Sequence, residues 1–241
     1  PAVRACHDID LLVRPKDRVS AATALTSLGY LPLPEAKSIS RELMLVRDDV
    51  TIDLHWELLR EGRLRVDPTA EMLSRRHREE GMWRLASEDT LFLLLVHPAF
   101  AKYLAGWDMG LHRVADVILW LRTQKTDWPI VRSQLQRNGV CAAAWATLRW
   151  VELLADDRAP GILSSMLADL QPGKLKRAWL ERWLNSDLSA RTAGAHWPRL
   201  LGLSPWLHDS AADVWRAVAG RRRARRRVNA DLEAFSGLLG Q

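Results

Sequence analysis

Two short apolar stretches of this chain have acids set into them at alternate positions: Asp8-Ile9-Asp10-Leu11-Leu12-Val13 and Ile52-Asp53-Leu54-His55-Trp56. In an extended strand, residues two apart share a face. Asp8 and Asp10 therefore project together, while Ile9, Leu11 and Val13 point into a core. In the second stretch Thr51, Asp53 and His55 share one face, and Ile52, Leu54 and Trp56 share the other. On neighbouring strands, these segments place three carboxylates at one rim of a sheet. At a separation of ~5 Å and an effective dielectric of ~20, each pair repels by roughly 3 kcal/mol. Such a site binds a cation or pushes a proton onto one acid. Hard oxygen donors at this density suit Mg²⁺ or Mn²⁺, and such metals mostly serve phosphate chemistry.

The surrounding pattern supplies the elements that hold these residues. Pro15 suits the first turn of a helix, where its missing N–H costs nothing. Val19, Ala22, Leu25 and Leu28 recur on one helical face, and Gly29 stops it as a C′ glycine. Pro32 and Pro34 read as a loop. Glu42 to Val46 reads as a strand, Arg47-Asp48-Asp49 as a turn, and Val50 to Trp56 as the hairpin partner. Asp67-Pro68-Thr69 opens a short helix from Glu71 to Arg78, with Gly81 ending it. Beyond Ser87, a plausible N-cap, the pattern is helical: 111–123, 129–137, 141–155, 161–170, 174–185 and 211–235. Gly139, Pro160, Pro172-Gly173, Pro198 and Pro205 punctuate these segments. The fold class is α+β: a small mixed or antiparallel sheet domain over 1–85, then a mainly helical domain over 86–241.

Composition narrows the classes further. With 48% hydrophobic and 27% charged residues, the 241-residue chain is globular rather than disordered. Two cysteines, Cys6 and Cys141, fit a reducing compartment and not a disulfide scaffold, so the expected location is cytoplasmic. No apolar run reaches the ~20 residues that span a bilayer. The net charge of +6 is carried by Arg221, Arg222, Arg223, Arg225, Arg226 and Arg227. Arginines at successive helical positions spread around the circumference, so a solvated basic helix is favoured over a nucleic-acid footprint. Twelve tryptophans, including Trp145 with Trp150 and Trp179 with Trp183, read as core rings. The cluster Arg63, Arg65, Arg75, Arg76 and Arg78 reads as a solvated connecting face or, alternatively, as cations for substrate phosphates. His55 can touch substrate, orient an acid or be structural; His97, in a very apolar helix, reads as packed and hydrogen-bonded. Zinc-ligand spacing, the P-loop, the dinucleotide glycine fingerprint and the hydrolase nucleophile elbow are absent.

Arg4-x-x-x-Asp8-Ile9-Asp10-Leu11-Leu12-Val13, the helix ending in Gly29-Tyr30, and Asp53-Leu54-His55-Trp56 together resemble the uncharacterised nucleotidyltransferase family of the polymerase-β-like superfamily. Ser87-Glu88-Asp89 opening a leucine-rich helix with His97, then Asp116 and Asp127-Trp128, is similar to that family's helical half. The resemblance covers roughly 4–130. It implies a metal-dependent transfer of a nucleotidyl group from an NTP to an acceptor hydroxyl on a small molecule, peptide or protein. Asp8, Asp10 and Asp53 would be both the catalytic and the Mg²⁺ or Mn²⁺ residues; Arg4 and His55 would lie near the nucleotide. Phosphoryl transfer by the same acids, or a non-catalytic binding module, remain alternatives. The superfamily's glycine-serine turn, which cradles the triphosphate, is not found in the seven residues before Asp8. Opening on Pro1, the chain reads as a piece of a longer protein, expected by itself to bind metal but to hold nucleotide weakly.

Overall fold

In a computed structural model, the described residues are 8–33, 42–101, 104, 110–155, 160–186 and 202–239. The chain forms two compact units, one from Pro1–Arg63, Asp67–Arg76 and Arg216–Gln241, the other from Leu64–Val66 and His77–Trp215. Residues 216–239 fall in the unit that holds the sheet.

The first unit is built on a four-stranded mixed sheet in the order β1-β4-β3-β2. Its strands are β1 (Asp8–Leu12), β2 (Leu31–Pro32), β3 (Glu42–Arg47) and β4 (Val50–His55), with helix α1 (Arg18–Ser27) after β1. β1 runs parallel to β4, and β4 pairs antiparallel with β3 across the Asp48-Asp49 turn. Alternation puts Leu43, Leu45, Ile52, Leu54 and Trp56 into a core with Ala22, Tyr30 and Phe235. The opposite face carries Asp8, Asp10, Glu42, Asp53 and His55 together with Leu12, Met44 and Val46.

Several local expectations need correction. Pro32 is not in a loop but pairs with Leu45 as part of edge strand β2, where a missing N–H is tolerated. Val19 and Leu28 are exposed, and from α1 only Ala22 is fully buried. Gly29 does take the left-handed conformation expected after a helix, its N–H reaching Thr26 O. Helix α2 (Thr69–Arg75) stops early. His77–Glu79 (β5) and Met82–Arg84 (β6) form a hairpin, with Glu80 and Gly81 both at positive φ. That two-residue turn has the conformation tight hairpins require, so Gly81 makes a turn and ends no helix.

The arginine run lies on α9 (Ala211–Ala234), which a short α10 (Ser236–Leu239) follows. Arg222, Arg223, Arg225, Arg226 and Arg227 are exposed, as expected, but the helix is anchored: Ala224 is buried, and Arg223 Nε donates to Glu61 Oε1 at 2.6 Å, with Arg227 at 3.5 Å from Oε2. The reason is a backbone-to-backbone crossing. A Cβ on Gly220 would collide with the Glu61 carbonyl oxygen and lie 2.8 Å from Gly62 Cα. Gly→Ala inside an exposed helix normally stabilises by about 1 kcal/mol. Here the collision wins, and Gly220→Ala is expected to destabilise by about 1–3 kcal/mol in urea unfolding. A stabilised variant would mean that the crossing is loose.

Besides the β5–β6 hairpin, the second unit is mainly helical: α3 (Ser87–Ala101), α4 (Gly110–Thr123), α5 (Trp128–Asn138), α6 (Cys141–Ala155), α7 (Leu163–Asp169) and α8 (Lys174–Leu184). Leu91, Phe92, Leu95 and Val96 of α3 are buried with Trp145, Leu148 and Trp150 of α6, and Thr147 Oγ1 donates to Leu95 O at 2.6 Å. Ser87 is no N-cap; it lies inside α3, where its hydroxyl meets Lys125 O and Thr126 Oγ1. Trp179 is not core either, being 42% exposed and stacked on Trp206. His97 Nδ1 lies 3.4 Å from Arg113 Nη1. Among the described residues no helix is long and apolar enough to cross a membrane.

Helix α6 is capped from far along the chain. Asp209 accepts from Cys141 N and Ala142 N at 3.0 and 2.8 Å, taking two otherwise orphaned donors. Burial, then the Asp209 charge beside it, push the Cys141 thiol up to about 12. At pH 8 the reactive thiolate is therefore almost absent. In a Cys6→Ser background, Cys141 is expected to react with iodoacetamide at least about a hundredfold more slowly in the native protein than in urea. Equal rates would show the thiol to be open and ordinary.

Candidate metal and phosphate site

Strand register assembles the site. Asp10 pairs with Asp53, Asp8 with Thr51, Leu12 with His55; on the other side of β4, Met44 pairs with Asp53 and Glu42 with His55. One face of three strands thus carries Asp8, Asp10, Asp53, His55 and Glu42. His55 Nε2 lies 3.0 Å from Asp10 Oδ1, the diagonal neighbour two residues from its direct partner, and His55 Nδ1 lies 3.4 Å from Glu42 Oε2.

One donor atom from each of Asp10, Asp53 and His55 lies within 4.8 Å of the others, a grouping able to hold a metal ion. Asp8 stands outside this tight group, one pleat repeat nearer the start of β1. Arg4, Cys6 and His7 lie outside the described residues. The structure therefore brings together two of the three expected acids and adds the imidazole. Of the arginines considered for phosphates, Arg65 is engaged with Asp213 at 2.9 and 2.8 Å and Arg75 with Glu71 at 2.7 Å; Arg76 donates to Leu73 O and Arg78 to Gly81 O.

Burial, then the charges of Glu42, Asp10 and Asp8, hold the Asp53 carboxyl above its ordinary range, with His55 opposing. Burial works against the His55 imidazolium, but the Asp10 hydrogen bond and the charges of Glu42, Asp10 and Asp53 outweigh it and raise its pKa. Asp53 Oδ1 is buried with no hydrogen-bond partner. A buried carboxylate oxygen left unpaired is costly, and a cation satisfies it. Donors bound at ~2.1 Å and at right angles around one cation stand about 3.0 Å apart, matching the Asp10–His55 separation. The residues present therefore fit a divalent ion.

Glu42 was missed in the sequence, although the two-residue turn at Asp48-Asp49 fixes the hairpin register and so places residue 42 opposite 55.

The site thus consists of an acid-bearing parallel strand pair, backed by an apolar core, with an imidazole beside the acids. The chain belongs to the uncharacterised nucleotidyltransferase family, which it matches over residues 1–156. No curated protein and no solved structure matches it.

Proposed function

We propose that the protein is a divalent-metal-dependent nucleotidyltransferase that moves a nucleotidyl group from an NTP to an acceptor hydroxyl. The observation that carries this reading is the grouping of Asp53, Asp10 and His55 within 4.8 Å, with Asp53 Oδ1 buried and unpartnered, in a chain of this family. Asp10, Asp53 and His55 would hold the ion, with Asp8 beside them on β1. When bound, a divalent cation neutralises phosphate charge and draws the triphosphate and acceptor into line. The acceptor oxygen bonds to the α-phosphorus, the bond to the bridging oxygen breaks, and pyrophosphate leaves. The hydroxyl proton passes to a carboxylate of the same face. The rigid β1–β4 pair fixes the two acids relative to each other, so little reorganisation accompanies the charge that develops on the phosphorus oxygens. The acceptor belongs to a small molecule, peptide or protein.

Thermal shift and calorimetry with ATP, CTP, GTP and UTP, each with and without Mg²⁺ or Mn²⁺, test the reading. The expected result is metal-dependent binding of at least one NTP, lost in Asp10→Asn. Label followed from the α- and the γ-position then separates nucleotidyl from phosphoryl transfer. An Asp10→Asn protein that responds to metal and NTP like the wild type would sink the proposal.

A further inference from the structure

The arginines in the middle of α9 do not stand alike around the helix. At about 100° per residue, Gly220 and Ala224 share one side. Gly220 lies against the Glu61–Gly62 backbone, and Ala224 is buried. Arg223 and Arg227, one turn apart, flank that side and are held by Glu61. Arg222, Arg225 and Arg226 fall on the opposite side, within an arc of about 100°, and all three are exposed. None of them makes a hydrogen bond or ion pair among the described residues. Anchoring at Glu61 thus sorts the run and leaves three cations together on one open face.

Those three charges stand within about 6 Å of helix axis and repel one another until an anion joins them. Their match is a polyanion of similar density. A nucleic-acid strand carries one charge per ~3.4 Å of axis, about two phosphates over that length. The guanidinium fork grips phosphate oxygens two at a time. Between Arg216 and Val228 the one exposed large apolar side chain is Val218. A peptide needs buried anchors and a membrane needs bulky apolar inserts, whereas a phosphodiester backbone needs only charge and N–H donors. Glu233, exposed on the same side nearly two turns past Arg226, bounds the cationic stretch.

We propose that Arg222, Arg225 and Arg226 form a docking surface for a nucleic-acid strand, held through its phosphodiester backbone. The surface acts independently of the acidic face and of any metal there.

The test is fluorescence anisotropy of a labelled single-stranded DNA oligonucleotide of mixed sequence, titrated with the whole chain over a salt series from about 50 to 200 mM. EDTA is present, so that the acids hold no cation. The wild type is expected to bind, with log affinity falling as log salt rises. In Arg222→Gln/Arg225→Gln/Arg226→Gln that slope should be shallower by about 2, and affinity at the lowest salt at least about tenfold weaker. Glutamine keeps helix propensity at exposed positions, so the melting temperature should be unchanged. Should the triple variant melt lower, Arg222→Gln and Arg226→Gln singly carry the test, each shallower by about 0.7. Lys16→Gln/Lys174→Gln/Arg182→Gln removes the same net charge from other exposed sites and should stay within about twofold of wild type. An equal loss in both triple variants would show attraction by net charge and overturn the inference. So would a wild type that ignores the oligonucleotide at the lowest salt. Binding to phosphatidylserine vesicles through the same arginines, without binding to the oligonucleotide, would overturn it in favour of a lipid surface.

Discussion

Asp53→Asn is expected to abolish the thermal stabilisation given by Mn²⁺, while the metal-free protein melts at a higher temperature than wild type. The two effects share one cause. Burial and the neighbouring charges of Glu42, Asp10 and Asp8 hold the Asp53 carboxyl above its ordinary range, so its ionisation opposes folding. For a carboxyl raised in the folded state, protonation favours the fold; stability gained on acidification is lost as pH rises through the Asp53 titration. An amide of the same shape removes that penalty at neutral pH, and with it the carboxylate needed for the cation. His55 shifts in the same direction, and its contribution is present below the ordinary imidazole pKa and lost as pH rises through the raised one. Both groups must be deprotonated to take a metal, so divalent-metal affinity should fall as pH drops through the raised His55 titration, compared at pH 8 and pH 6. Differential scanning fluorimetry with and without Mn²⁺ at the two pH values reads all of this. An Asp53→Asn protein that melts lower than wild type without metal would show the carboxylate to be a structural support.

Asp213→Ala is expected to destabilise the helical unit by about 2–3 kcal/mol, seen as a drop of about 5–10 °C in its melting temperature. Asp213 is almost fully buried, and both its oxygens bind Arg65, at 2.9 and 2.8 Å. Ser210 N and Oγ donate to the same carboxylate. Arg65 also donates to Gln136 O, at the end of α5, where Gly139 turns the chain at positive φ; a Cβ there would meet the Arg65 and Asp213 side chains. Removing Asp213 strands this arginine and frees Ser210. The estimate falls below the usual cost of breaking a buried pair because 36% of the Arg65 side chain remains in water. Asp213→Asn, which keeps two polar atoms in place, should lose less. Retention of the wild-type melting temperature by Asp213→Ala would put Arg65 back among the candidates for binding a phosphate.

By itself, the sequence determined the alternation in β3 and β4, and hence which residues face the core and which face the acids, because strand periodicity is a local property; in β1, at the end of the sheet order, Ile9 was expected in the core but is 46% exposed. It also determined the extents of α4 to α9 to within a residue or two, since apolar spacing, glycine and proline act within a few positions. Asp10 and Asp53 were legible for the same reason: acids in apolar strands, with the family's spacing. Tertiary structure alone decided that β1 lies parallel to β4, which turns spacing into the Asp10–Asp53 pairing and brings His55 diagonally onto Asp10. It gave Glu42 its place beside the imidazole, left Asp8 outside the tight group, and committed Arg65 to Asp213 across 148 positions of chain. The destination of α9 was equally hidden. Its arginines look solvated in sequence, but whether Gly220 can lie against the Glu61 carbonyl depends on where two distant backbones cross. Local pattern sets the face a side chain occupies; only the closing of distant segments sets its neighbours, and in this site it groups Asp10, Asp53 and His55 within 4.8 Å.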